Sequence, residues 1–171
     1  LFGALPRMVR DLAQDLGKSV DLQIEGGDVE LDREMLDMIR DPLTHIVRNA
    51  IDHGIEPSGD RIACGKPAAG RLVVSARQSG NQILIEIADD GRGLDPGRLV
   101  ERAVAAGLLS EARAAALSGQ AALDLVFEPG FTTAGTVTAI SGRGVGMDVV
   151  RANIERIGGS VELENRAAGG L

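Results

Sequence analysis

The chain has 171 residues, of which 44% are apolar and 25% charged, a balance that fits one soluble globular domain with a single core. Its formal net charge of −7 argues against a nucleic-acid partner, which wants a basic face, yet leaves room for a small polyphosphate in a local positive pocket. No long uncharged apolar run offers a membrane span, and the lone Cys64 rules out an internal disulfide or a four-cysteine zinc site and points to a reducing cytoplasm.

The opening "LFGALPRMVRDLAQDLGKSV" lacks the apolar core of a signal peptide and reads as part of a domain cut from a longer chain. Within it Val9, Leu12, Ala13 and Leu16 recur at helical spacing, with Gly17 as a stop. "VDLQIEG" alternates and predicts a short strand. From Arg33 to about Gly54 the apolar face Met35, Leu36, Ile39, Leu43, Ile46, Val47 and Ala50 predicts the strongest helix. Pro42 inside it predicts a kink or a restart, with Asp41 as a second cap. "HGIEPSGDRIACGKPAAG" reads as a loop. "RLVVSARQSGNQILIEIAD" predicts a hairpin around Ser79-Gly80-Asn81. Asp95-Pro96 opens a helix that ends near Gly107. Ser110 caps a further short helix, and Leu123 to Phe127 suggests another.

Residues 129–146 hold five glycines and several threonines, a long segment of a kind that is usually functional. Met147 to Ile157 predicts a helix capped by Gly158-Gly159. "SVELENR" predicts a strand, and a further strand is expected where the chain ends in "AAGGL". No repeat or linker divides the chain, so residues 1–171 are expected to form a single domain. The order of elements suggests an α+β, two-layer architecture, with helices on one face of a mixed, mostly antiparallel sheet.

Three polar constellations carry chemistry. In "DPLTHIVRNAIDHG", His45, Asn49, Asp52 and His53 stand at i, i+4, i+7 and i+8, one stripe on an α-helix beside its apolar face. A mid-helix Asn calls for a reason. Its amide oxygen can ligate Mg²⁺, which takes most other ligands from water and phosphate, or Asn49 and His45 are ordinary surface residues. In "ADDGRGLD" a strand feeds into Asp89-x-Gly91-x-Gly93. A carboxylate there can accept from the adenine amine while glycines let the ring approach, or the motif is a common Asp-Gly turn. Arg98 and Arg102 follow at i, i+4, within reach of phosphates or as solvated charges. In "FEPGFTTAGTVTAISGRGVGMDVV" the row Gly142-Arg143-Gly144-Val145-Gly146 leads into a helix and favours anions. Its spacing departs from the dinucleotide fingerprint, and it lacks the Gly-Lys-Ser/Thr of a Walker A loop.

Taken in order, "HIVRNAIDHGIE", "DDGRGLD", "FEPGF" and "SGRGVGMDVV" resemble the N, G1, F and G2 boxes of the ATP-binding kinase domain of CheA-type chemotaxis histidine kinases, within the gyrase, Hsp90, histidine kinase and MutL superfamily. The resemblance covers nearly the whole chain and implies the Bergerat ATP-binding fold. It implies that Asn49 holds Mg²⁺, that Asp89 holds the adenine amine, and that Gly91 and Gly93 shape the adenine pocket. His45 would sit near the γ-phosphate, Asp52 and His53 would flank the nucleotide, and Arg98 would face phosphate in a place that is often Lys. Gly142, Gly144 and Gly146, with Arg143 and Val145 between them, would meet the phosphates through a lid.

Hydrolysing members of the superfamily carry a Glu one turn before the Asn; here His45 stands there, which suits transfer to a protein histidine better than water attack. The implied partners are a histidine phosphotransfer domain as acceptor, flanking dimerisation and receptor-coupling domains, and, indirectly, a coupling protein, chemoreceptors and response regulators. The alternatives are an ATPase of the same superfamily, an ATP-sensing module without histidine transfer, and a serine kinase of the anti-sigma type.

Overall fold

A computed structural model describes residues 2–26, 29, 32–117, 119–131, 146–166 and 169–171. They gather into two compact units, Leu1–Gly93 with Asn165–Leu171, and Leu94–Glu164.

In the first unit, helix α1 (Leu5–Asp15) buries Leu5, Val9 and Ala13, one face at four-residue spacing, and Gly17 at φ 63° turns the chain out of it. Strand β1 (Val20–Glu25) follows. Helix α2 (Arg33–Asn49) starts at Asp32, whose carboxylate accepts from the Met35 N–H at 2.7 Å. It runs unbroken through Pro42, so of the kink or restart expected there the restart, with Asp41 as a second cap, does not occur; Asp41 is exposed. Pro42 forfeits one hydrogen bond, but it lies buried in line with Leu43 and Val47, and burial of that face offsets the lost bond. A π-helical turn (Ala50–Gly54) continues α2, and the Ile55 N–H reaches back five residues to the Ala50 carbonyl at 2.8 Å.

The stretch expected to be a plain loop holds a short helix, α3 (Ser58–Ala63). Its composition hides the helix because the residue that anchors it, Arg61, is buried for its charge contacts and not for apolar burial.

Strands β2 (Gly70–Ser79) and β3 (Gln82–Asp89) form the predicted hairpin, closed by Gly80 at φ 61° and Asn81. The sheet of described strands has the order β1-β2-β3. β1 and β2 pair in parallel, from Val20–Gly70 to Glu25–Ser75, whereas β2 and β3 pair antiparallel. The parallel pair needs the long crossover through α2 and α3. Leu72, Val74 and Ala76 alternate along β2 toward one face, where Phe2, Leu5, Val9, Leu43, Val47, Ile51 and Ile55 complete the core. The expected α+β class, with helices over one face of a mixed sheet, is what this unit shows.

The second unit is helical among its described residues. Helix α4 (Pro96–Ala105) is capped by Asp95, which accepts from Gly97 and Arg98 N–H groups. Helices α5 (Glu111–Ala116), capped by Ser110, and α6 (Gln120–Leu123) follow, then a 3₁₀ turn (Asp124–Phe127) and α7 (Met147–Arg156). Leu99, Ala103, Leu109, Leu123, Val126, Phe127 and Phe131 are buried together. Arg151 lies over the Phe127 ring, 3.9 Å from its centre.

The strand expected over "SVELENR" is not formed. Val161 and Leu163 do pack on this core, so the alternation is real. However, the Leu163 carbonyl takes a hydrogen bond from Gln120 Nε2 at 2.7 Å, and 160–166 joins no strand ladder among the described residues. The further strand expected at "AAGGL" is likewise absent among the described residues. Instead the Asp89 N–H donates to the Leu171 carbonyl at 2.9 Å.

Candidate functional site

β3 delivers Asp89 to the end of the sheet, where it is 3% exposed, buried beside Ala88. One carboxylate oxygen, Oδ1, accepts from the Gly91 N–H at 2.8 Å. Burial pushes this carboxyl above its ordinary 3.8, and the negative charges of Asp90 and Glu56 add to the rise; backbone donors at Gly91 and Leu171 pull the other way. A buried acceptor of this kind is suited to a hydrogen-bond donor on a ligand.

The backbone around Asp89 is closely approached at two glycines, tightly at Gly54 and too closely for a Cβ at Gly91. A Cβ on Gly54 would stand 3.2 Å from Asp89 Oδ2, and one on Gly91 would stand 2.8 Å from Asp89 Oδ1 and run into the Gly54 carbonyl. That carbonyl accepts from the Arg92 N–H at 3.0 Å. The end of the π-helical turn and the Asp89-Gly91 turn thus interlock through two glycines. Gly93, at φ 67°, has the Asn165 amide oxygen 2.8 Å from where its Cβ would lie. Gly91 and Gly93 are therefore both places where backbone approaches backbone or side chain closely.

α2 carries His45 and Asn49 one turn apart, both half-buried. Burial, and then the charge of Arg48, hold the His45 imidazole below its ordinary 6.5. Beyond Asn49 the helix widens into the π-turn, which departs from α-helical spacing and carries Asp52 and His53. Asp52 and His53 fall on its exposed side, and face each other across 3.6 Å. The turn is held by Lys18, which precedes β1 and donates from Nζ to the carbonyls of Ile51 at 2.8 Å and Asp52 at 2.6 Å. Burial lowers the Lys18 pKa, and Arg92 adds to that, against the raising effect of Asp52 and Glu56.

A layer of charge lies under the Asp89 turn. Arg61 is fully buried and donates to the Pro67 carbonyl at 2.8 Å, to Glu56 Oε2 at 3.1 Å and to Asp90 Oδ2 at 2.8 Å. Lys66 Nζ donates to Glu56 Oε1 at 2.8 Å, to the Asp90 carbonyl at 3.0 Å and to the Gly91 carbonyl at 2.8 Å. Asp90 Oδ1 accepts from the Arg71 N–H at 2.8 Å. Burial would raise the Glu56 carboxyl, but hydrogen bonds from Lys66, its own amide and Arg61, with the Lys66 charge, bring it below its ordinary 4.5. Sequence reasoning missed Lys18, Gly54, Glu56, Arg61 and Lys66. Gly54 and Glu56 stood inside the motif "DHGIE", but nothing in the spacing of Arg61 and Lys66 announces that they reach Asp90.

In the second unit, Arg98 is exposed on α4, with its guanidinium 3.8 Å from Asp95. Phe127 and Phe131, of "FEPGF", are core residues there. Gly146 is the N-cap residue of α7. Gly142, Arg143, Gly144 and Val145 lie outside the described residues. The structure therefore brings Asp89, Gly91 and Gly93 into one close-packed turn, and sets His45 and Asn49 together on α2.

Residues 38–171 match the family model described as histidine kinase-, DNA gyrase B-, and HSP90-like ATPase. Over 170 residues, 99% of the chain, it is 49% identical to the sensor histidine kinase CheAY of Helicobacter pylori, covering 21% of that protein. It is 46% identical to the gliding motility regulatory protein of Myxococcus xanthus, over 99% of the chain and 22% of that protein. It is 45% identical to the chemotaxis protein CheA of Bacillus subtilis, over 96% of the chain and 25% of that protein. The chain thus spans between a fifth and a quarter of the length of these relatives. With a match over most of its length, and a buried acceptor among close-packed glycines at the strand end, the chain belongs to the family of histidine kinase-, DNA gyrase B- and HSP90-like ATPases.

Proposed function

We propose that residues 1–171 are the ATP-binding catalytic domain of a chemotaxis histidine kinase, which passes the γ-phosphoryl group of ATP to a histidine on a separate phosphotransfer domain. The observation that carries this reading is Asp89: a buried carboxylate at a strand end, fixed by the Gly91 N–H and walled by two glycines. Such a group accepts from the exocyclic amine of adenine. A carbonyl in the same place would leave it unpaired, at a cost of about 1–3 kcal/mol.

Asn49 is the proposed Mg²⁺ ligand. Its half-buried amide offers one neutral oxygen, and no cluster of three His, Cys, Asp or Glu side chains that could hold a metal occurs among the described residues. That fits a cation taking its remaining ligands from phosphates and water. Bound there, Mg²⁺ supplies charge neutralisation at the transferring phosphoryl group. His45, whose neutral form is favoured by burial and then by the Arg48 charge, is the proposed positioning or proton-accepting group near the γ-phosphate. In the transfer the unprotonated nitrogen of the acceptor imidazole forms a bond to the γ-phosphorus with its lone pair, the bond from that phosphorus to the ADP oxygen breaks, and the other ring nitrogen gives up its proton.

Gly91 and Gly93 are proposed to admit the adenine ring, Asp52 and His53 to flank the nucleotide, and Gly142, Arg143, Gly144, Val145, Gly146 and Arg98 to meet the phosphates. Relatives named chemotaxis protein CheA and sensor histidine kinase CheAY support this reading over an ATPase or an ATP-sensing module. On it, the acceptor histidine, the dimerisation and receptor-coupling domains and the response regulators lie outside this chain, and the setting is cytoplasmic. No described helix is long and apolar enough to cross a membrane.

The test is transfer in trans. With labelled ATP and an added phosphotransfer domain, the chain is expected to yield acid-labile phosphohistidine, with little phosphate release. Asn49→Ala is expected to abolish that label. Fast phosphate release without label would establish the ATPase reading, and an acid-stable product the serine-kinase reading.

A further inference from the structure

We infer that Lys66 is a positioning residue for adenine recognition, setting the Asp89 carboxylate through the backbone of Gly91. The inference rests on the proposed pairing of Asp89 with the adenine amine. Gly91 is held at both ends: its N–H binds Asp89 Oδ1 at 2.8 Å, and its carbonyl accepts from Lys66 Nζ at 2.8 Å. Lys66 also takes the Asp90 carbonyl at 3.0 Å, so one ammonium fixes two successive peptide units of the turn. The ammonium is itself fixed by Glu56 Oε1 at 2.8 Å, and Glu56 is fixed by the buried Arg61 at 3.1 Å. A charge-assisted bond is shorter and stronger than a neutral one, and a carboxylate that must meet one amine gains from a rigid supporting shell.

Packing alone does not account for the lysine. Its side chain is 27% exposed, and a purely structural prop would have no need to converge on the two peptide units that flank Gly91, whose N–H holds the Asp89 acceptor. Arg61 is fully buried, and its removal would strand Glu56 and Asp90 together. Removing Lys66 leaves Glu56 with Arg61, so Lys66 is the member whose role can be separated from folding.

The experiment measures dissociation constants for ATP and for inosine triphosphate, which carries a carbonyl where adenine has its amine, by competition against a fluorescent nucleotide well below the melting temperature. The wild-type chain is expected to prefer ATP by about tenfold or more. Lys66→Met is expected to weaken ATP while leaving inosine triphosphate nearly unchanged, so that the preference falls by at least about threefold. Asp89→Asn is expected to lose the preference.

A Lys66→Met protein with a lower melting temperature but the wild-type preference would show Lys66 to be a structural prop and overturn the inference, leaving the Asp89 reading intact. A wild-type chain without preference would overturn both. Should Lys66→Met fail to fold, Lys66→Gln, which keeps one donor, is read by the same ratio.

Discussion

His45 is half-buried on α2, and burial followed by the Arg48 charge holds its imidazole below 6.5. Both causes disfavour the imidazolium and favour the neutral imidazole, the form that can act as a base. An NMR titration of the chain is expected to find His45 with a midpoint below 6.5. Arg48→Ala is expected to raise that midpoint only part of the way, because burial is the larger cause; a full return to 6.5 would assign the shift to Arg48 alone. The same shift has a stability sign. As the pH falls from 6.5 toward the folded-state value, the unfolded chain takes up the proton first, so the folded state loses stability over that window and no further below it. Asp89 is shifted the opposite way, above 3.8. Its cost is present at neutral pH and is relieved as acid protonates it.

Elements were legible in the sequence wherever one local rule decides. Gly17 and Gly80 take positive φ, and Asp95 and Ser110 cap the helices they were expected to start. The N-cap of α2 is Asp32, and Asp32→Ala is expected to cost about 1 kcal/mol, read as a lower midpoint in urea. Besides the strand expected over "SVELENR", local rules misled at Pro42, at the π-turn and at α3, each for a physical reason. Pro42 is carried through α2 by burial of its face. The α-helical spacing from His45 to His53 breaks because Ala50–Gly54 winds as a π-turn, its Ile51 and Asp52 carbonyls taken by Lys18. α3 is anchored by Arg61 rather than by an apolar stripe. The Asp89 turn offers a test on the same scale. Gly91→Ala places a methyl group against the Gly54 carbonyl and Asp89 Oδ1. It is expected to cost about 1–3 kcal/mol, at about 2–4 °C in Tm per kcal/mol. A calorimetric Tm equal to wild type would show that the interlocked turns can separate freely.

At the scale of the molecule the chain carries a formal charge of −7 and yet is proposed to bind a polyanion, so the proposed Mg²⁺ should be indispensable. Chelation of divalent cations is expected to abolish phosphoryl transfer, and added Mg²⁺ to restore it, measured as labelled phosphohistidine; transfer that persists in chelator would remove Asn49 from its proposed role. Residue identity and order alone were enough for the family, for the Asp-x-Gly-x-Gly turn at a strand end and for the α+β class, since each motif and element is set by neighbours a few positions apart and their order along the chain is read directly. The layer of Glu56, Arg61, Lys66 and Asp90, the meeting of Gly54 with Gly91, and the Lys18 clasp on the π-turn join residues up to 37 positions apart, the separation of Gly54 from Gly91. No periodicity reports such contacts. They exist only once the hairpin and the α2 crossover have folded against each other, because charge and steric fit act through space and not along the chain.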